Sequence, residues 1–179
     1  DGYKKLLERS LIACGDKELT HYEEAVERYQ DIFRECCMYR VEAYEGIGEL
    51  LEFLKSQGIF IAVLSNKPHP RTLDNVQGVF GKGYFDLVYG EREDKGIKKK
   101  PCPDGVWAIA EELGLSKSEI LYLGDTNTDM ETGDNAKVDT VGVTWGFRTR
   151  EELMAFHPAL IADHPSQVVQ YIKDVNGIE

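Results

Sequence analysis

Two rhythms of apolar and polar positions divide the chain. Over residues 3–14, Leu6, Leu7, Leu11 and Ile12 recur at helical spacing, and Gly15-Asp16 stops the run. Thr20, with Glu23 three residues later, predicts a capping box. The helix it would open, about 21–39, carries Tyr22, Val26, Tyr29, Phe33 and Cys37 along one face. These positions predict the interior of a small helical subdomain, residues 1–43. From residue 47 the rhythm changes. Helical stretches alternate with short apolar runs at 59–64, 85–89, 120–123, 139–145 and 159–162. A continuous run such as Ile59-Phe60-Ile61-Ala62-Val63-Leu64 predicts a strand buried on both faces. Strict helix–strand alternation predicts an α/β fold over 44–179: a parallel sheet with helices on both faces.

Composition narrows this picture without changing it. A length of 179 residues with 42% hydrophobic content fits one core domain with a small appendage. No apolar run approaches the roughly 20 residues that a membrane-spanning helix needs. A net charge of −11 argues against a nucleic-acid surface, which needs clustered Lys and Arg. The same charge leaves room for an anionic small molecule, because a metal and a few local cations can invert the field. Cys14, Cys36, Cys37 and Cys102 lack metal-site spacing and a disulfide pattern. They read as thiols in a reducing compartment, which predicts a cytoplasmic protein.

The candidate chemistry lies where the apolar runs stop. Ser65 and Asn66 follow the 59–64 run and offer a hydroxyl, an amide and backbone N–H groups to phosphate oxygens. An ordinary turn would use the same residues. Lys100 precedes a proline, which pushes it toward an extended, fixed conformation, and Asp104 opens a helix behind it. Lys98 and Lys99 read better as a solvated basic loop. Ile120-Leu121-Tyr122-Leu123 ends at Gly124, and Asp125 and Asp129 follow. If a helix begins near Asn127, both carboxylates can face one crevice at the strand mouth, where open α/β sheets bind ligands. Two hard oxygen ligands there suit Mg²⁺. The alternative gives Asp125 to the helix cap and Asp129 to the helix dipole.

Hydroxyl, lysine and acid pair, each at a strand tip and in this order, resemble the haloacid dehalogenase superfamily, and within it the phosphoglycolate-phosphatase-like group. The matching motifs are Leu64-Ser65-Asn66-Lys67, Lys100-Pro101-Cys102-Pro103-Asp104 and Gly124-Asp125-Thr126-Asn127-Thr128-Asp129; Val143-Thr144-Trp145-Gly146 resembles the strand after them. The resemblance implies a Rossmann-like core with a helical cap, and hydrolysis of a small phosphorylated metabolite through an aspartyl-phosphate. It implies that Ser65 and Asn66 bind the phosphoryl group, that Lys100 offsets its charge, and that Asp125 and Asp129 serve Mg²⁺. Charge and composition predict no nucleic-acid or membrane partner, and a monomer or homodimer is expected.

One family signature, an apolar strand followed by Asp-x-Asp-Gly-Thr, has no counterpart here. Its first Asp is the nucleophile, and its strand lies centrally in the family fold, between the 59–64 and 120–123 strands. The resemblance therefore predicts that the nucleophile lies upstream of Asp1 and that the 179-residue form has no turnover. Two other readings stand beside the phosphatase: a sugar phosphomutase on the same core, and a phosphate- or metal-binding pseudoenzyme.

Overall fold

A computed structural model describes residues 2–178. The chain begins with two helices, α1 (Gly2–Ala13) and α2 (Tyr22–Cys36). Tyr3 stacks on Tyr29, and Tyr29 on Phe33, with ring centroids 5.1 and 5.3 Å apart. The predicted face of α2 is therefore the packed one. Its start differs from expectation. Thr20 makes no cap; the Asp16 carboxylate accepts from the backbone N–H groups of Thr20 and His21, each at 2.9 Å. Two oxygens on one nearby side chain reach both orphan donors, which a single hydroxyl could not.

The alternating part runs α3 (Ile47–Ser56), β1 (Ala62–Pro68), α4 (His69–Phe80), β2 (Leu87–Glu91), α5 (Asp104–Leu113), β3 (Leu121–Gly124), α6 (Asn127–Ala136), β4 (Asp139–Val143), α7 (Arg150–Met154), β5 (Leu160–Ala162) and α8 (Pro165–Asn176). Every strand pairing is parallel, as the alternation predicts. The first strand sits later than its apolar run. Ile61 is tied by its N–H to the Asp86 carboxylate at 2.8 Å, the ladder starts at Ala62–Leu87, and it carries Ser65 and Asn66 inside the strand. Phe60, ahead of the ladder, is exposed.

Pleating sorts the core. Val141 and Val143 of β4 join Leu50 of α3, Ala162 of β5, and Val168 and Ile172 of α8 in one buried cluster, against which Trp145 packs. The alternate positions, Thr140 and Gly142, meet α6 and α7 instead: a Cβ on Gly133 would strike Thr140, and one on Gly142 would approach Leu153. Helices thus cover both faces. The ladder itself is in two pieces among the described residues, β1–β2 and β3–β4–β5, with β1 and β3 unpaired with each other.

Candidate active site between the two sheet pieces

The crevice lies between the ends of β1 and β3, and Lys100 spans it. Its ammonium donates to the Leu64 carbonyl of β1 at 3.1 Å and to the Asp129 carboxylate behind β3 at 2.7 Å. The backbone of Lys100 is fixed as well. Asn66 accepts from its N–H at 2.8 Å and donates to its carbonyl at 3.0 Å, so the Asn66 side chain is committed to placing Lys100. Ser65 lies next to these groups on β1, and its hydroxyl accepts from the Lys67 N–H at 3.2 Å. Asp104 opens α5; its carboxylate takes the Lys98 N–H at 3.2 Å and the Cys102 thiol at 3.0 Å. Lys99 turns away from the crevice to Glu91 and Glu93, at 3.1 Å each.

The acid pair divides into two different groups. Asp129 is buried, and both its oxygens are occupied. One accepts from Lys100 and, at 3.2 Å, from the Tyr122 hydroxyl; the other accepts from the Thr126 N–H at 3.1 Å and its hydroxyl at 2.6 Å. The N-cap of α6 is Thr126 rather than Asp125, with Asp129 completing a capping box. Burial opposes ionisation of Asp129. The Lys100 ammonium and the donors from Thr126 and Tyr122 outweigh it and hold the carboxyl below its ordinary value. Burial, with the facing Asp129 carboxylate, pushes the Tyr122 phenol well up.

Asp125 is freer. One of its oxygens accepts from the Phe147 N–H at 2.9 Å, and it packs directly on Gly146, where a Cβ would come within 2.1 Å of that oxygen. Nearby in sequence, Asn127 Oδ1 is the one buried side-chain oxygen among the described residues that lacks a hydrogen-bond partner. Such an atom normally has a partner, often water or an ion. A carboxylate oxygen and an orphaned amide oxygen at the start of α6 are hard donors of the kind Mg²⁺ takes together with waters. No group of three His, Cys, Asp or Glu side chains able to hold a metal is present among the described residues.

The structure thus joins Asn66, Lys100 and Asp129 in one network, with Ser65 adjacent to it on β1 and Asp125 at the neighbouring loop. Tyr122, Thr126, Asn127 and Gly146 lay within the runs and motifs read from the sequence but were not singled out as site residues. Thr126 alone left a legible trace, as a threonine three residues ahead of an acid at a helix start.

Comparison with known proteins agrees with this fold. The profile of the haloacid dehalogenase-like hydrolases matches residues 3–143. A phosphoglycolate phosphatase of Aquifex aeolicus is 33% identical over 94% of this chain and 74% of its own length. That of Pectobacterium atrosepticum is 28% identical over 96% of this chain and 73% of its own. The chain therefore spans about three quarters of these relatives. A solved structure from Lactobacillus delbrueckii subsp. bulgaricus superposes with a TM-score of 0.85 at 27% identity, over 96% of this chain and 78% of that one. By its family match, its relatives and its parallel α/β architecture, this chain is a member of the haloacid dehalogenase-like hydrolases.

Proposed function

We propose that this chain carries the phosphate- and metal-binding part of a Mg²⁺-dependent phosphatase for a small phosphorylated metabolite, phosphoglycolate-like in size and charge. The observation that supports this most is the Lys100 ammonium, pinned between the β1 edge and Asp129 beside Ser65. Phosphoryl transfer asks mainly for positioning and for neutralisation of the equatorial oxygens. A cation whose side chain and backbone are held by four protein contacts needs no reorganisation to meet that charge. In this reading the Ser65 hydroxyl donates to a phosphoryl oxygen, Lys100 offsets its charge, and Asn66 acts by holding the Lys100 backbone. Asp129 keeps Lys100 in place, while Asp125, with Asn127 beside it, would hold Mg²⁺. When bound, the metal would neutralise charge on the phosphoryl oxygens.

The nucleophilic aspartate belongs, on this reading, to a strand between β1 and β3 contributed from upstream of Asp1. It would form the aspartyl-phosphate and split a slow hydrolysis into two faster steps. Residues 1–43 would form part of a cap over the crevice, and 44–179 the core. Free thiols at all four cysteines suit a cytoplasmic setting, and no helix among the described residues is long and apolar enough to cross a membrane. A monomer or homodimer is expected.

The test is a phosphate-release screen over small phosphomonoesters, with and without Mg²⁺, on the protein bearing the upstream strand. Mg²⁺-dependent release that Ser65→Ala and Lys100→Met abolish is the expected result. Transfer of phosphate to a second sugar position without release would instead make the enzyme a mutase. Mg²⁺ and phosphate binding without either reaction would make it a binding module.

A further inference from the structure

Lys67 is a half-buried cation that the reaction described above does not use. Lys67 lies two residues past Ser65 in the irregular end of β1, where its backbone N–H donates to the Ser65 hydroxyl at 3.2 Å. The Lys67 ammonium meets residues of two helices. It hydrogen-bonds to the Asn75 side-chain oxygen of α4 and lies 5.5 Å from the centre of the Phe33 ring of α2. No ion pair to a carboxylate satisfies it among the described residues. An ammonium carries three N–H donors, and a neutral amide oxygen and a ring face leave its charge uncompensated. Burial pushes the Lys67 ammonium down from its ordinary value, against a smaller opposing effect of the nearby Cys37.

The arrangement is nonetheless built rather than loose. Asn75 is 8% exposed, and its amide donates to the Cys37 carbonyl at 2.6 Å and meets the Met38 sulfur at 3.1 Å. The end of α2 therefore fixes Asn75, and Asn75 fixes Lys67. A positioned, partly desolvated cation with spare donors binds anions more strongly than a solvated one.

We propose that Lys67 is a specificity residue that holds a second anionic group of the substrate, at the end remote from the phosphate bound at Ser65 and Lys100. The inference rests on the phosphatase reading and narrows its substrate class to phosphomonoesters that carry a carboxylate or a second phosphate a few bonds from the first. An uncharged alcohol phosphate would leave Lys67 without its counter-charge and bind less well.

Titration calorimetry with Mg²⁺ present tests this on the protein itself, independently of turnover. The probes are 2-phosphoglycolate; ethyl phosphate, in which a methyl replaces the carboxylate; and pyrophosphate, which offers a second phosphate. Wild type is expected to bind 2-phosphoglycolate or pyrophosphate about tenfold more tightly than ethyl phosphate, the value of one charge-assisted contact. The stronger of the two identifies the anionic group. Lys67→Met should erase that preference while ethyl phosphate binding stays within about twofold, and Lys67→Arg should retain part of it. If Lys67→Met keeps the full preference, or weakens all probes alike, the inference is wrong while the phosphatase reading stands. Should wild type bind ethyl phosphate no better than Ser65→Ala does, the phosphatase reading fails and takes the inference with it. The arginine variant keeps the test decisive if the methionine one does not fold.

Discussion

At Asp129 one carboxylate answers four donors drawn from β3, the cap of α6 and the Lys100 loop. Its carboxyl is held below its ordinary value, so it contributes stability that is present above the unfolded value and lost as pH falls through the folded one. That contribution is complete at neutral pH and fades below about pH 4. Replacing Lys100 by Met strands the buried charge and should cost about 3–5 kcal/mol at pH 7. Urea unfolding at pH 7 and again near pH 4 should show the gap narrowing as Asp129 takes up a proton. A gap independent of pH would trace the loss to packing. Gly146 sets a second residue-scale expectation. A methyl there meets the Asp125 carboxylate, so Gly146→Ala should displace it and weaken Mg²⁺ binding in calorimetry about as much as Asp125→Asn does. Retained affinity would place the metal elsewhere.

Elements differ in how tightly they seat on one another, and two glycines show it. A Cβ on Gly90 of β2 would fall 2.4 Å from His69 Cα and 2.7 Å from the Lys67 carbonyl, both backbone atoms that cannot rotate aside. Gly90→Ala should therefore push β2 from the start of α4 and cost about 1–3 kcal/mol in chemical denaturation. Gly48, inside α3, meets nothing, and Gly48→Ala should stabilise by about 0.5–1 kcal/mol. The two substitutions are chemically identical, so an equal effect would refute the packing argument. Most helices and all five strands were legible in the chain's periodicity, because an amphipathic helix and an apolar strand run each impose their own spacing; β1 itself is only partly buried rather than buried on both faces. The start of α2 was not, because Asp16 caps it from outside the local pattern. Nor was the shift of β1, since the pairing register with β2, tied by Asp86, decides where the ladder begins.

Over the whole molecule, the sheet among the described residues is in two pieces with a crevice between them, bridged by the Lys100 side chain. Strand β4 has partners on both edges, whereas β1 and β3 each have one. Amide hydrogen exchange should accordingly be slowest at β4, around Val141, and faster at the β1 and β3 amides that face the crevice. Uniform protection across the five strands would contradict this arrangement.

The sequence by itself determined the α/β class, the parallel alternation, the family and the candidate groups Ser65, Asn66, Lys100, Asp125 and Asp129. The class and the candidate groups follow from periodicity and from residue types at strand ends, which are local properties, and the family from the resemblance of the motifs that those residues form. Tertiary structure alone decided what each group does with its neighbours. It committed Asn66 to the Lys100 backbone, filled both oxygens of Asp129 while leaving Asp125 freer, and placed Lys67 against Asn75 and Phe33 without an anion. Such pairings join residues up to 34 positions apart. Only the packing of helices on the two sheet pieces sets those distances.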